Sequence, residues 1–498
     1  MPQLEQNPAT PLLDALLNYT ALKRKRFHVP AHVGTAFWTG ELGEKAHALG
    51  LHTQLLQHDL SEVEGVDVLS TPDGVIAESQ ALTALRCNVA HSFYLINGAS
   101  VGLHAALMTA FQPNEVVLMP RNVHRAVMAG MVISGIRPAW FTPTWESDWG
   151  IWGAVSIEQL QDAFEENPSA KGVVLTSPTY EGIVSDINAI AQWCQSKGLR
   201  LIVDEAHGSL FGHTPSTPPS ASQFRGVDAV IQSFHKTAGS LTQSAVLHLP
   251  HGSSLASKRL QEALNHLQST SPNYLVLASL DLSSAWLASL AGQAQRQSLW
   301  RNIKAIRKRI HGMSAFKLLE TPLGSEEANG ISLDKLRLYL RHAYFDGQVW
   351  ADALEQDHGL SYELSNPYGA LFLGQIGHTP ADFVALMQGL ETFAKAHPKH
   401  LHPQYNGDAT LYFERIETPI LPEIEALSSP REAFFRASER LKVGECLIGR
   451  LSGETVVSCP PGIPVLLSGE RIQTGHLPFL AHREDLCVLV EKHDKIIL

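Results

Sequence analysis

The sequence predicts an α/β fold: a large domain built on a mainly parallel, doubly wound sheet, followed by a smaller α+β portion. Three observations predict it. Apolar strand-like runs at 116–119, 172–176, 201–203, 229–232 and 245–249 alternate with helical patterns, which builds a parallel sheet covered on both faces. LINGASVGLHAAL (95–107) passes from an apolar stretch through Asn97, Gly98, Ala99 and Ser100 into a helical pattern. The 498 residues, 44% hydrophobic and 17% charged, can bury a large core in two or more domains.

The elements follow in chain order. Ser156 with Gln159 forms a capping box opening one helix, and Asp186 and Gly198 bracket another as N-cap and C′. The apolar run 273–292 contains Asp281 and several serines, with Leu275, Ala278, Leu282 and Trp286 at helical spacing, so it predicts a buried helix rather than a membrane span. An N-terminal segment, 1–58, precedes a large domain expected at 59–300. A linker region, 301–330, begins with Arg301, Lys304, Arg307, Lys308 and Arg309, which predict a solvated helix face. Residues 331–498 form the smaller portion, with strands in LRLYL (336–340) and ALFLGQIG (370–377) and another led by PPGIPVLL (460–467).

Charge and cysteines narrow the function. A net charge of −11, with no block of like sign, argues against a nucleic-acid partner. Cys87, Cys194, Cys446, Cys459 and Cys487 show no CxxC spacing, so neither a disulfide framework nor a zinc or other metal site is indicated. The N-terminus lacks a basic region followed by an apolar core. A reducing, cytoplasmic location is expected.

Chemistry concentrates in three segments. IQSFHKTAGSLTQSAVLHL places Lys236 among Ser233, His235 and Thr237 after an apolar run; desolvation beside cationic groups favours the neutral amine needed for a Schiff base with pyridoxal phosphate. Alone, Lys236 reads more readily as one end of an ion pair. The run Leu201, Ile202, Val203 ends in Asp204, Glu205, Ala206 and His207; a strand-end carboxylate suits a pyridinium nitrogen, although Asp204 alone reads more readily as a strand-end cap or turn residue. The turn Asn97–Gly98–Ala99–Ser100 opens a helix, where backbone N–H groups and a hydroxyl suit a phosphate.

In this order and company, the segments resemble the pyridoxal-phosphate-dependent ornithine, lysine and arginine decarboxylases. FHVPAHVG (27–34), DLSEVEGVDVLSTPDGVIAESQ (59–80), RNVHRAV (121–127), SPTYEGIVSD (177–186), DEAHG (204–208), SFHKT (233–237), STSPNYLVLASLD (269–281) and PPGIPVLLSGERI (460–472) follow the family's order. The resemblance implies fold type I with a seven-stranded type of sheet, as in shorter members without a wing domain. It also implies a homodimer or higher homo-oligomer with shared sites, acting on a small basic amino acid.

By the same resemblance, Lys236 holds the cofactor, Asp204 pairs with its ring nitrogen, His124 stacks on one ring face and Ala206 packs on the other. Ala99, Ser100, His207, Ser233 and His235 complete the cofactor set, and Thr270 reaches the phosphate in the neighbouring subunit. Lys236 and His235 are both candidate proton donors. Arginine or lysine is the favoured substrate, with ornithine possible, and the amine product would enter polyamine or diamine synthesis.

Departures fall on the substrate side. The family's PGHKGG becomes Pro30, Ala31, His32, Val33, Gly34 and Thr35; Cys459 replaces a tyrosine, and Val101 stands where a second hydroxyl is common. Glu454, His32 and Cys459 are the substrate-side candidates. Two rivals stay open: another reaction on the same cofactor, with Arg450 or Arg471 anchoring the α-carboxylate, and a silent, cofactor-binding regulatory subunit.

Overall fold

The computed structural model describes residues 4–214, 216–320, 330–397, 424–458 and 463–490. Its large sheet orders His91–Leu95, Ala245–Leu249, Ala229–Gln232, Arg200–Asp204, Gly172–Thr176, Val116–Pro120 and Arg137–Phe141. The five strand-like runs are all strands of it. The sheet is mixed, however: Ala245–Leu249 runs antiparallel to both neighbours, with Val246 opposite Tyr94 on one side and Gln232 on the other. The link 233–244 carries only the helical turn Phe234–Thr237, too little to cross back over the sheet as a parallel connection requires. Val116–Pro120 is parallel to Arg137–Phe141 and to Gly172–Thr176.

Contacts divide the chain into two compact units, 1–109 with 204–297, and 110–203 with 298–498. In the first, the helices Pro11–Ala21, Val75–Cys87 and Tyr274–Ala288 pack on one another. Asp281, the charge inside the apolar run, is fully buried. Its carboxylate accepts from Leu12 N (3.0 Å) and Leu13 N (3.1 Å), closing the N-terminus of Pro11–Ala21, and from Ser79 Oγ (2.6 Å). Among the described residues no helix is long and apolar enough to cross a membrane.

In the second unit, Ser156 and Gln159 make the reciprocal capping box of helix Ile157–Glu166, and Asp186 and Gly198 (φ +67°) close the two ends of Ile187–Lys197. A four-stranded antiparallel sheet orders Phe316–Leu318, Arg337–His342, Ala370–Leu373 and Leu364–Ser365. Farther along, Ser438–Lys442 pairs with Asp485–Leu489, and Val456–Ser458 with Ile463–Leu466, around a core that includes Leu447, Val465, Leu466, Ile472 and Leu486. The start of the PPGIP turn lies outside the described residues. The helix Leu290–His311 passes through the position near 300 where the sequence suggested a boundary.

The basic run on that helix, expected as a solvated face, is not wholly exposed. Arg301, Lys304, Lys308 and Arg309 are exposed, but Arg307 is buried. It donates to the carbonyls of Leu319, Lys335 and Arg337 and pairs with Glu320 at 2.9 Å. A helix docked on a sheet must turn one stripe inward, and in this stripe a guanidinium fork meets strand-end carbonyls.

Candidate active site

Two strand ends carry the chemistry. Arg200–Asp204 is an apolar strand that delivers Asp204, 2% exposed, to its C-terminal end. The carboxylate accepts from Ala206 N at 3.1 Å. Burial pushes its pKa up to about 6, against the lowering pull of the Lys236 charge and that amide. Ala229–Gln232 ends just before Ser233, and the single helical turn Phe234–Thr237 presents Lys236. Lys236 Nζ lies 2.9 Å from His207 Nε2, and Ser233 N donates to Ala206 O (3.2 Å). The DEAHG and SFHK motifs therefore meet directly.

Glu205 fastens the same two motifs. Its N–H donates to Ile231 O (2.9 Å), and its buried carboxylate accepts from Gln232 Nε2 (2.6 Å), Ser220 Oγ (2.7 Å) and Ala221 N (2.7 Å). Burial raises its pKa to about 7 against these donors. Sequence reasoning assigned no role to Glu205 or Gln232; the available signal was a polar residue closing an apolar run, where a buried group must find partners.

The small-residue turn sits where the sequence placed it. The helix Gly98–Ala110 begins in it, and Gly98 adopts φ +77°, a conformation that costs glycine little. Gly102 lets the helix approach the sheet: a Cβ there would stand 2.6 Å from Leu95 Cδ1 and 3.1 Å from Ile231 Cγ2. Four contacts of Gln243, Gln268 and Asn97 lace the turn to its neighbours. Gln243 O accepts from Gly98 N (2.8 Å) and its Nε2 donates to Ile96 O (2.8 Å); Gln268 Oε1 accepts from Ile96 N (2.9 Å); Ser269 N reaches Asn97 Oδ1 (3.4 Å). Ala99 and Ser100 are half-buried at the helix start, Val101 is in the core, and Thr270 is exposed beside Ser269.

His235 is held by its Nδ1, 2.8 Å from Ser244 O. A carbonyl only accepts, so Nδ1 carries the proton. Burial, then the Lys236 charge, keep this imidazole below its ordinary pKa despite that hydrogen bond.

Each of the remaining candidates has its own local partners. In the second unit, His124 is the N-cap of helix Arg125–Ser134, its Nδ1 accepting from Ala126 N (3.2 Å). Glu454 accepts from Cys487 N (2.8 Å) and pairs with Arg483 (3.1 Å). Arg450 pairs with Glu439, and Arg471 with Glu425. Cys459 lies outside the described residues. In the first unit, His32 pairs with Asp59 at 3.2 Å and its Nδ1 accepts from Gly34 N. Val33, where the family carries lysine, takes φ +46°, a strained value for a β-branched residue.

The residues fit pyridoxal phosphate. A buried carboxylate with a raised pKa gains most from a cationic ring nitrogen, an amine stands at the adjoining strand end, and a helix that starts in a small-residue turn suits the phosphate. Fold and site thus define a fold-type-I pyridoxal phosphate enzyme. The family model "Orn/Lys/Arg decarboxylase, major domain" matches residues 10–331. An arginine decarboxylase of Bacillus subtilis is 30% identical, over 95% of this chain and 93% of its own. One of Halalkalibacterium halodurans is 30% identical over 96% and 94%. The crystal structure of the Francisella novicida lysine decarboxylase LdcF is similar in fold, with a TM-score of 0.81 at 19% identity, covering 97% of this chain and 82% of that one. The chain belongs to the Orn/Lys/Arg decarboxylase family and is a pyridoxal-phosphate-dependent amino-acid decarboxylase.

Proposed function

We propose that the chain removes the carboxylate of arginine as carbon dioxide and releases the corresponding amine for polyamine or diamine synthesis, with lysine the next candidate and ornithine the third. The contact between Lys236 and His207 beside buried Asp204 carries the catalytic reading. The similarity to arginine decarboxylases along nearly the whole chain supports the order of substrates.

Pyridoxal phosphate, when bound, supplies the electron sink for the bond between Cα and the carboxylate. Lys236 would hold it, with His207 orienting the amine. Asp204 would keep the ring nitrogen protonated, His124 and Ala206 would fix the two ring faces, and Ala99, Ser100, Ser233 and His235 would meet the phosphate. A second copy of the chain would contribute Thr270. After carbon dioxide leaves, Cα needs one proton, from the Lys236 amine or from His235 once its Nε2 is protonated. The distal guanidinium of arginine calls for a planar acceptor. Glu454 already holds Arg483 and Cys487 N, so it would have to surrender those contacts.

The experiment supplies pyridoxal phosphate and then arginine, lysine or ornithine to the purified chain, measuring carbon dioxide and amine. The expected result is release of both, with the highest kcat/KM for arginine. Carbon dioxide from none of the three would end the reading, and a keto acid product would replace it with aminotransfer. A homodimeric, cytoplasmic enzyme belongs to the same proposal; full activity in a stable monomer would count against the shared site.

A further inference from the structure

Residues of the described parts 424–458 and 463–490 hold the helix Arg125–Ser134 at both ends. At the N-terminal end, Arg121 closes the strand Val116–Pro120, three residues before His124, and is 4% exposed. Its Nη2 donates to Val465 O at 3.2 Å, within PPGIPVLLSGERI. The charge of Glu470 acts on the guanidinium and partly offsets the cost of burying it. Glu470 is fully buried, accepts from Leu467 N (2.8 Å) and stands 3.4 Å from His476 Nε2. At the other end, Arg431 Nη1 donates to Ile133 O (3.0 Å), and Glu432 pairs with Arg137 at 3.4 Å.

These ties are unequal. Arg137 and Glu432 are each about half exposed, so water competes for both and their pair contributes little. Arg121 is shielded from water, and a buried guanidinium is fixed wherever its few partners stand. A strand carbonyl of the segment that follows Cys459 accepts from it, and the charge of Glu470 in that segment acts on it. His124 in turn opens the helix, its ring orientation set by the bond from Ala126 N.

We propose that Arg121 is a positioning residue: through Val465 and Glu470 it sets the start of helix Arg125–Ser134, and with it the imidazole of His124. The proposal rests on the reading that His124 faces the cofactor ring. It makes the strand Ile463–Leu466 contribute to cofactor binding through a backbone tie at Val465.

A double-mutant cycle tests this on the full chain stripped of cofactor, using Arg121→Gln, His124→Ala, the pair together and Arg121→Lys. Pyridoxal phosphate is titrated into each, following its absorbance band and its dissociation constant, with the melting temperature recorded alongside. Arg121→Gln should weaken binding roughly tenfold and shift the band, and the double variant should bind no more weakly than His124→Ala alone, because residues acting as one unit are not additive. Arg121→Lys, which keeps the charge, should recover part of the affinity. Should Arg121→Gln melt too low to titrate, Glu470→Gln enters the same cycle. Losses that add in full, or wild-type binding by Arg121→Gln, would overturn the role of Arg121 while leaving His124 in place. Wild-type binding and absorbance in His124→Ala would remove the reading beneath it.

Discussion

Lys236 Nζ lies 2.9 Å from His207 Nε2, so the lysine of one strand-end motif is oriented by the histidine of the other. His207 is 4% exposed and cannot be replaced there by bulk water. His207→Ala should therefore leave the fold in place yet lower kcat by about a hundredfold, the lower range for loss of a group that orients a proton-transfer partner. Lys236→Ala should abolish both turnover and the visible absorbance of bound cofactor. Parent kinetics in His207→Ala would show that the contact is incidental.

Asp204 gives the cofactor-free protein a pH signature. Its folded pKa of about 6 lies above the ordinary 3.8, so between those values the folded chain keeps a proton that the unfolded chain has released. Stability therefore falls as pH rises through this window, by up to about 3 kcal/mol, and is flat on either side. Asp204→Asn should lack that fall. The difference between urea-unfolding curves of the two cofactor-free proteins from pH 4 to 7 isolates it, because Glu205 and Glu181, also raised to about 7 by burial, are common to both. Curves that stay parallel would mean Asp204 ionises normally.

His235 makes a prediction about protons rather than stability. With Nδ1–H fixed on Ser244 O and the pKa held low, Nε2 is a lone-pair acceptor near neutral pH and would repel a phosphate oxygen. If His235 meets the phosphate, binding must draw a proton onto Nε2. Calorimetry of pyridoxal phosphate binding in buffers of different ionisation enthalpy should report proton uptake in the parent and less in His235→Gln. Equal uptake in the two would take His235 out of the phosphate site.

Glu454 is engaged by Arg483 and the Cys487 amide within its own lobe. Glu454→Gln should lower stability by about 1–2 kcal/mol, the cost of weakening partly buried charge-assisted bonds, while leaving the ratio of kcat/KM for arginine and lysine unchanged. A changed ratio would return Glu454 to the substrate pocket.

The strands and the strand-end motifs were legible because period, turn chemistry and motif order all point one way: the runs ending at Asp204 and before Ser233, and the turn at Gly98, stand where the sequence puts them. The antiparallel course of Ala245–Leu249 was not, since an apolar run carries no direction. Nor were the roles of Glu205, Gln232 and Gln243, whose partners are set by tertiary approach of segments distant in sequence. Arg307 departs from the solvated face for a related reason: a basic run looks alike whether it faces water or strand-end carbonyls.

Asp281 offers the sharpest test of the packing, because it explains a charge inside an otherwise apolar run. Thr10, the N-cap of helix Pro11–Ala21, makes no side-chain cap bond, and Asp281 takes over by accepting from Leu12 N and Leu13 N. Burial raises the Asp281 pKa, while Ser79, these two amides and the Arg86 charge pull it down. Leu12 and Leu16, buried on the same helix, depend on its being held there. Asp281→Asn keeps one acceptor oxygen but loses the charge facing the helix dipole, and should cost about 1–2 kcal/mol. Asp281→Leu leaves the amides and the Ser79 hydroxyl without their acceptor in a dry setting, and should cost about 3 kcal/mol or more. Hydrogen exchange along 11–21 should quicken in the same order. A leucine variant as stable as the parent would show that hydrophobic gain outweighs the cap, and that the helix is held by its leucines alone.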